Sequence, residues 1–252
     1  MTYCLGMLLD AGLIMIADTR TNAGVDNISS YRKLHILADE PEQQLYLATS
    51  GNLSVTQTVV SMLREGIPAT DDSALIRTLS QATSMFRAAQ MVGEALQMAN
   101  RTIGEALQAL KISSSATLLL GGRIGDAPPA LFQIYEAGNF IECTADVPFM
   151  QIGETKYGRP ILDRAIRTGT PIEEAVKIAF LSFDSSMRSN VAIGRPLDML
   201  VLPSAPASRP LIRRIEHDDA YFNEVSRRWS TLLYEATKSI LNPELSFTAP
   251  PR

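Results

Sequence analysis

Thr2 is the first residue of this chain that could do chemistry on its own. Cytosolic processing commonly removes Met before a small residue, and loss of Met1 would leave Thr2 with a free α-amine. Such a threonine holds a hydroxyl nucleophile and an amine base in one residue. The reference α-amine pKa is about 7.7–8.0, so a useful fraction is neutral at cellular pH and no histidine is needed. Many chains begin Met-Thr by chance, so the dipeptide needs partners. Asp18 and Lys33 are the candidates. A lysine beside the hydroxyl would stabilise the alkoxide and lower the pKa of the amine by like-charge repulsion. An aspartate would keep that lysine charged and oriented.

Whether these residues meet depends on strand register. Residues 3–9 and 13–17 are short apolar runs around Asp10-Ala11-Gly12, which predicts a β-hairpin. If Leu9 pairs with Leu13 around a three-residue loop, Thr2 and Asp18 share a sheet face as diagonal neighbours, roughly 7–8 Å apart at Cα. A two-residue turn would move them to opposite faces. Lys33 falls in a further run, Tyr31 to Leu37, and alternates with Leu34 and Ile36, which would point the other way. On spacing alone Lys33 reads better as a solvated strand residue than as a site residue.

Other chemistries find little support. The sequence has no GxSxG, P-loop, HExxH or strand-linked GxGxxG. Its two histidines, His35 and His217, read as surface residues, and its two cysteines, Cys4 and Cys143, as buried small hydrophobes. No Cys/His cluster predicts a metal, and no cofactor motif is visible. A net charge of −4 with scattered basic residues gives no footprint for nucleic acid or an anionic membrane. No apolar run approaches the ~20 residues needed to span a bilayer. The run Leu5 to Ile16 lacks the basic flank and cleavage site of a signal peptide, so a reducing, cytoplasmic setting is expected.

The remaining elements follow from periodicity. Residues 19–30 are polar and read as a loop. Gln44 to Ala48 is a strand, followed by a helix through Val55, Val59, Met62 and Leu63 that ends at Gly66-Ile67-Pro68. Residues 72–110 read as helix, 115–120, 130–135 and 139–144 as strands, and 156–169 and 172–188 as helices. Strands at 197–202 and 211–215 precede a helix over about 219–241, with apolar face Phe222, Val225, Trp229, Leu232, Leu233, Ala236 and Ile240. A mobile tail is expected over 242–252. Segregated runs of strands and helices predict an α+β fold, with residues 1–252 forming one domain.

Thr2 with Ala17-Asp18-Thr19-Arg20, Lys33 and Thr49-Ser50-Gly51 resembles the active-site framework of proteasome β-subunits and the bacterial HslV peptidase. Gly121-Gly122, the run Leu131 to Gly138, Ile152-Gly153 and Ser189-Asn190 extend the likeness over roughly residues 2–203. The run Gly153-Glu154-Thr155-Lys156-Tyr157-Gly158 and the long last helix look most like the Anbu group, the ancestral β-subunit proteins of bacteria.

The resemblance implies a four-layer αββα sandwich, the N-terminal-nucleophile hydrolase fold, and a threonine peptidase acting on peptide or protein substrates. Thr2 would be the nucleophile, Lys33 its electrostatic partner and Asp18 the orienter of Lys33. Gly51 would supply an oxyanion N–H, Asn22 and Thr49 would border the substrate cleft, and Ser189 would match a supporting hydroxyl. The family commonly has serine where Glu154 stands; Glu154 could accept a proton, or pair with a cation and support its loop. Proteasome β-subunits have an aspartate where Ser186 stands, which HslV-like members also lack. Self-assembly into a ring or open spiral is implied too. Nothing resembles an ATPase module, so an unfoldase partner, if one exists, would be a separate protein. Two alternatives are a catalytically weak self-assembling scaffold that binds peptides, favoured if Met1 is retained, and an amide hydrolase of small metabolites.

Overall fold

The computed structural model describes residues 2–22, 28–69, 75–206 and 208–245, apart from the side chains of Asn22, Ile28 and Glu105. Met1, the middle of the expected 19–30 loop, the start of the expected 72–110 helix and the end of the 242–252 tail lie outside these residues.

Two five-stranded antiparallel sheets face each other. Strands β1 (Tyr3–Leu9), β2 (Gly12–Asp18), β3 (Arg20–Asn22), β4 (Ile28–Ser30), β5 (Leu34–Glu40) and β6 (Gln43–Gly51) precede helix α1 (Leu53–Glu65). The short strands β7 (Ile67–Pro68) and β8 (Ile76–Arg77) lead to α2 (Met85–Ala109), then β9 (Ala116–Ile124), β10 (Ala130–Ile134), β11 (Phe140–Glu142) and β12 (Phe149–Gly153). Helices α3 (Arg159–Ala165) and α4 (Ile172–Ser189), strands β13 (Leu197–Pro203) and β14 (Leu211–Ile215) and helix α5 (Ala220–Ser239) complete the order. One sheet runs β12-β1-β2-β13-β14 and the other β11-β10-β9-β6-β5.

Strand alternation sorts the apolar residues into three cores. Tyr3, Leu5, Ile14 and Ile16 turn outward onto Ala175, Ala179 and Phe183 of α4. Cys4, Leu13, Met15 and Ala17 turn inward to meet Tyr46, Ala48 and Leu119 of the other sheet. The outer face of that second sheet, through Leu45, Leu47, Leu118 and Leu120, packs on Val55 and Val59 of α1 and on Val92 and Leu96 of α2. The result is the expected four-layer αββα sandwich. Among the described residues no helix is long and apolar enough to cross a membrane.

Four expectations are corrected. The first hairpin turns in two residues, Asp10-Ala11, with Leu9 opposite Gly12 and Cys4 opposite Ala17. Thr2 and Asp18 therefore belong to opposite faces of the hairpin, and the three-residue register fails. Gly12 allows the tight turn: at φ +150 its backbone lies against Leu202 and Pro203, where any Cβ would overlap. Part of the expected loop over 19–30 is the β3–β4 pair, whose polar residues carry no apolar alternation. Residues 75–84 are not α-helical; they hold β8 and one short 3-10 helical turn, and α2 begins at Met85 behind its Ser84 cap. Strand β12, read only as a motif, adds to the edge of β1, with Tyr3 opposite Gly153.

His35 is half-buried rather than on the open surface. Burial, with Arg64 and Arg32 nearby, lowers its pKa from the ordinary 6.5 to about 4, while Asp198 opposes the shift. The folded protein thus binds fewer protons here than the unfolded chain over that interval, and stability falls as pH drops from 6.5 toward 4. Urea midpoints measured across this window should fall less steeply for His35→Gln, which cannot titrate. Parallel curves for the two proteins would refute the assignment.

Candidate active site

Thr2 lies immediately before β1, with its backbone held on both sides. The Glu154 N–H donates to the Thr2 carbonyl at 2.7 Å, and the next amide, Tyr3 N–H, donates to Asp18 Oδ1 at 2.9 Å. Gly153 (φ +82) passes so close that a Cβ would overlap the Thr2 carbonyl, so β12 can lie here only with glycine. Tyr3 anchors the segment from the other side. Its ring packs on Phe183 at 4.3 Å, and its hydroxyl accepts from Gln151 Nε2 and shares a hydrogen bond with Ser182 Oγ, both 2.7 Å. Burial pushes the Tyr3 phenol well above its ordinary pKa, so it stays protonated.

Lys33 lies just ahead of β5 rather than within it, and its side chain is only 6% exposed. The expected alternation holds for Leu34, buried between the sheets, but not for Ile36, which is 41% exposed beside a bulge between Ile36 and Ala38. Lys33 Nζ donates to Asp18 Oδ1 at 2.8 Å and to the Arg20 carbonyl at 2.6 Å. An ammonium has three donors, so one is left for the cavity that Lys33 lines. Asp18 is fully buried and also accepts from Gly194 N–H at 3.4 Å. Burial pushes its carboxyl up, and the Lys33 charge and hydrogen bond pull it back. These donors offset part of the cost of burying the carboxylate.

Thr2 and Lys33 open onto one cavity of about 610 Å³. Thr49 and Gly51 also line it. The Thr49 N–H bonds the Lys33 carbonyl at 2.9 Å, and strand alternation turns the Gly51 N–H to the same side. Pairing of β5 with β6 starts only at Leu34–Ala48, so the Gly51 donor lies past the covered edge. The N-terminus of α1 follows directly, and its partial positive charge also favours an anion here.

The other expected residues stand further off. Asp18 touches Lys33 but not the cavity wall. The Glu154 carboxylate is buried and accepts from Lys156 N–H at 2.8 Å and Asn190 Nδ2 at 3.2 Å; this ties its loop to the end of α4 without a cation. Ser189 is exposed at the last residue of α4 and is not brought to the cavity. Asn22 pairs through its backbone with Ile28, and its side chain lies outside the described residues.

Several wall residues escaped the sequence reading. Thr21 lines the cavity from β3, and its hydroxyl is buried with no hydrogen-bond partner among the described residues. Asn52 caps α1, accepting from Ser54 N–H at 3.0 Å, and donates to the Ser113 carbonyl at 2.9 Å, which fixes Ile112 across the mouth. The Ser-Gly-Asn triplet ahead of an apolar helix is an N-cap signal that could have placed Asn52.

Residues 2–202 match the family described as proteasome subunit. No curated protein sequence matches the chain. Among solved structures, a (Gly-1) mutant of Anbu from Hyphomicrobium sp. strain MC1 is 41% identical with a TM-score of 0.87, covering 97% of this chain and 100% of that one. Anbu (ancestral beta-subunit) from Yersinia bercovieri is 37% identical, TM-score 0.86, over 97% and 100%. The Anbu complex from Pseudomonas aeruginosa, described as a helical assembly, is 39% identical, TM-score 0.86, over 96% and 98%.

Proposed function

The chain belongs to the proteasome subunit family and, within it, to the Anbu (ancestral β-subunit) proteins, and from that membership we propose that it is an N-terminal threonine hydrolase that cleaves peptide bonds. The observation that carries the reading is that Thr2, Lys33 and Gly51 line one cavity, with Asp18 bonded to Lys33 from behind it.

Removal of Met1 frees the Thr2 amine. Thr2 Oγ1 attacks the substrate carbonyl carbon while its proton passes to that amine, through a water where the two atoms do not touch. The lone donor left on Lys33 stabilises the alkoxide and keeps the nearby amine basic only weakly. The carbonyl oxygen becomes an oxyanion at Gly51 N–H, a role in which one lost donor costs about 10²–10³ in rate. The tetrahedral intermediate expels the amine product, which takes the proton back, and leaves an ester on Thr2. Water attacks the ester by the same route reversed, releasing the acid. Asp18 orients Lys33, Thr49 and Asn22 border the cleft, and Glu154 supports the loop behind Thr2.

Intact mass after brief exposure to a threonine-directed covalent inhibitor tests this directly. The expected species lacks Met1 and has gained one inhibitor. An unlabelled protein that retains Met1 would overturn the reading in favour of the scaffold.

We propose in addition that the chain self-assembles, as its helical relative does. Helix α5 buries only Phe222, while Leu232 and Leu233 remain 46% and 47% exposed and Ile240 71% exposed. Such a stripe on a protein of this size calls for a covering surface. Sedimentation should give species much larger than one 27.5 kDa chain, and Leu232→Glu with Leu233→Glu should shift them toward the single chain. A wild type that sediments as one chain would rule the assembly out.

A further inference from the structure

We infer that a second cavity, formed where α4, the segment before β13 and the start of α5 meet, binds inorganic phosphate. The cavity holds about 360 Å³ and is lined by Arg20, Arg188, Arg195, His217, Asp184 and Ser226 among others. Three guanidinium groups there face one carboxylate. That carboxylate is consumed: Asp184 Oδ2 accepts from Arg188 at 2.9 Å and Oδ1 from Ser226 Oγ at 2.6 Å.

Arg20 and Arg195 have no acidic partner among the described residues. Among the described residues the Arg20 side chain gives one bond, to the Val191 carbonyl at 2.9 Å. Arg195 bonds the Glu216 carbonyl at 3.3 Å and Asn223 Oδ1 at 2.9 Å. A guanidinium carries five N–H donors, so each fork keeps most of its capacity. Neither fork is free to wander. Arg195 lies over the Phe222 ring at 4.8 Å, and Arg20 packs so tightly on Gly194 that a Cβ there would overlap it. Two planar, held, uncompensated guanidinium groups on one cavity suit a tetrahedral oxyanion, which accepts from both in bidentate fashion. His217 also lines the cavity and carries at least one ring N–H.

Isothermal titration of the full chain with inorganic phosphate, against chloride at matched ionic strength, tests the site. The expected result is one saturable site per chain, weakened about tenfold or more in Arg20→Gln and in Arg195→Gln. Arg227→Gln, which removes an exposed arginine paired with Glu224 outside the cavity, should bind as the wild type does. No saturable binding in the wild type would overturn the proposal. So would weakening by Arg227→Gln as large as by the other two, since general charge would then explain the binding. Should Arg195→Gln lose its fold with the Phe222 contact, checked by thermal melting, Arg20→Gln alone decides.

Discussion

Thr2→Ala is expected to lower peptide hydrolysis on the order of 10⁴- to 10⁶-fold, the range seen when a hydrolase loses its nucleophile, and to abolish the covalent adduct. The fold should survive, because the hydrogen bonds that hold this position use the Thr2 carbonyl and the Tyr3 N–H rather than the Thr2 side chain. Thr2→Ser keeps a hydroxyl and should retain labelling. The comparison is made by kcat/KM on peptide and on small-amide substrates, with melting curves alongside. Loss on both substrates with an unchanged melt supports Thr2 as nucleophile, and the wild type's preference between the substrates separates a peptidase from a metabolite amidase. Undiminished turnover in Thr2→Ala would end the threonine mechanism.

Lys33→Met should cost about 3–5 kcal/mol of stability at neutral pH, because it leaves the Asp18 charge buried without its partner. Asp18 is fully buried, and its two remaining donors, Tyr3 N–H and Gly194 N–H, are neutral amides. The loss should depend on pH. Lys33 pulls the Asp18 carboxyl down against burial, so removing it raises that pKa further above its ordinary 3.8. A raised carboxyl binds a proton more readily folded than unfolded, so stability is present at low pH and lost as pH rises through the folded value. Lys33→Met should therefore be closer to the wild type in acid than at neutrality, and adding Asp18→Asn should recover part of the neutral-pH loss. Urea unfolding of the wild type, both single variants and the double at two pH values gives the coupling. Strictly additive effects would mean that the ion pair contributes nothing, contrary to its geometry.

The elements and the α+β class were legible because they rest on periodicity, whereas the four-layer stacking came from the resemblance. Met85, Ala89, Val92, Leu96 and Ala99, at helical steps of three and four along α2, fall in one core with β6, β9 and β10, and the alternation of β1 sorts Tyr3 and Leu5 from Cys4. The site was legible mainly through the family. The hairpin argument for Thr2 and Asp18 rested on a three-residue turn, and the actual two-residue turn puts them on opposite faces. They are joined instead through backbone: Asp18 reaches the Tyr3 N–H, not the Thr2 side chain. No letter of the sequence announces that the Arg20 carbonyl and Gly194 N–H complete the setting of Lys33 and Asp18. Strand β12 was missed for a related reason: five residues on a sheet edge, Phe149 to Gly153, carry too short a pattern to read alone. Glu154 was ambiguous until its two oxygens were seen to bind Lys156 N–H and Asn190 rather than a cation.

The uncovered face of α5 bears on what stability means for this chain. A surface that is buried only against another copy contributes to the associated state and not to the isolated one. In the assembly proposed above, folding and association become linked equilibria, and dilution alone would weaken the protein by mass action. A melting temperature for such an assembly has meaning only at a stated protein concentration, and a substitution on α5 that touches nothing within its own chain would still lower that temperature.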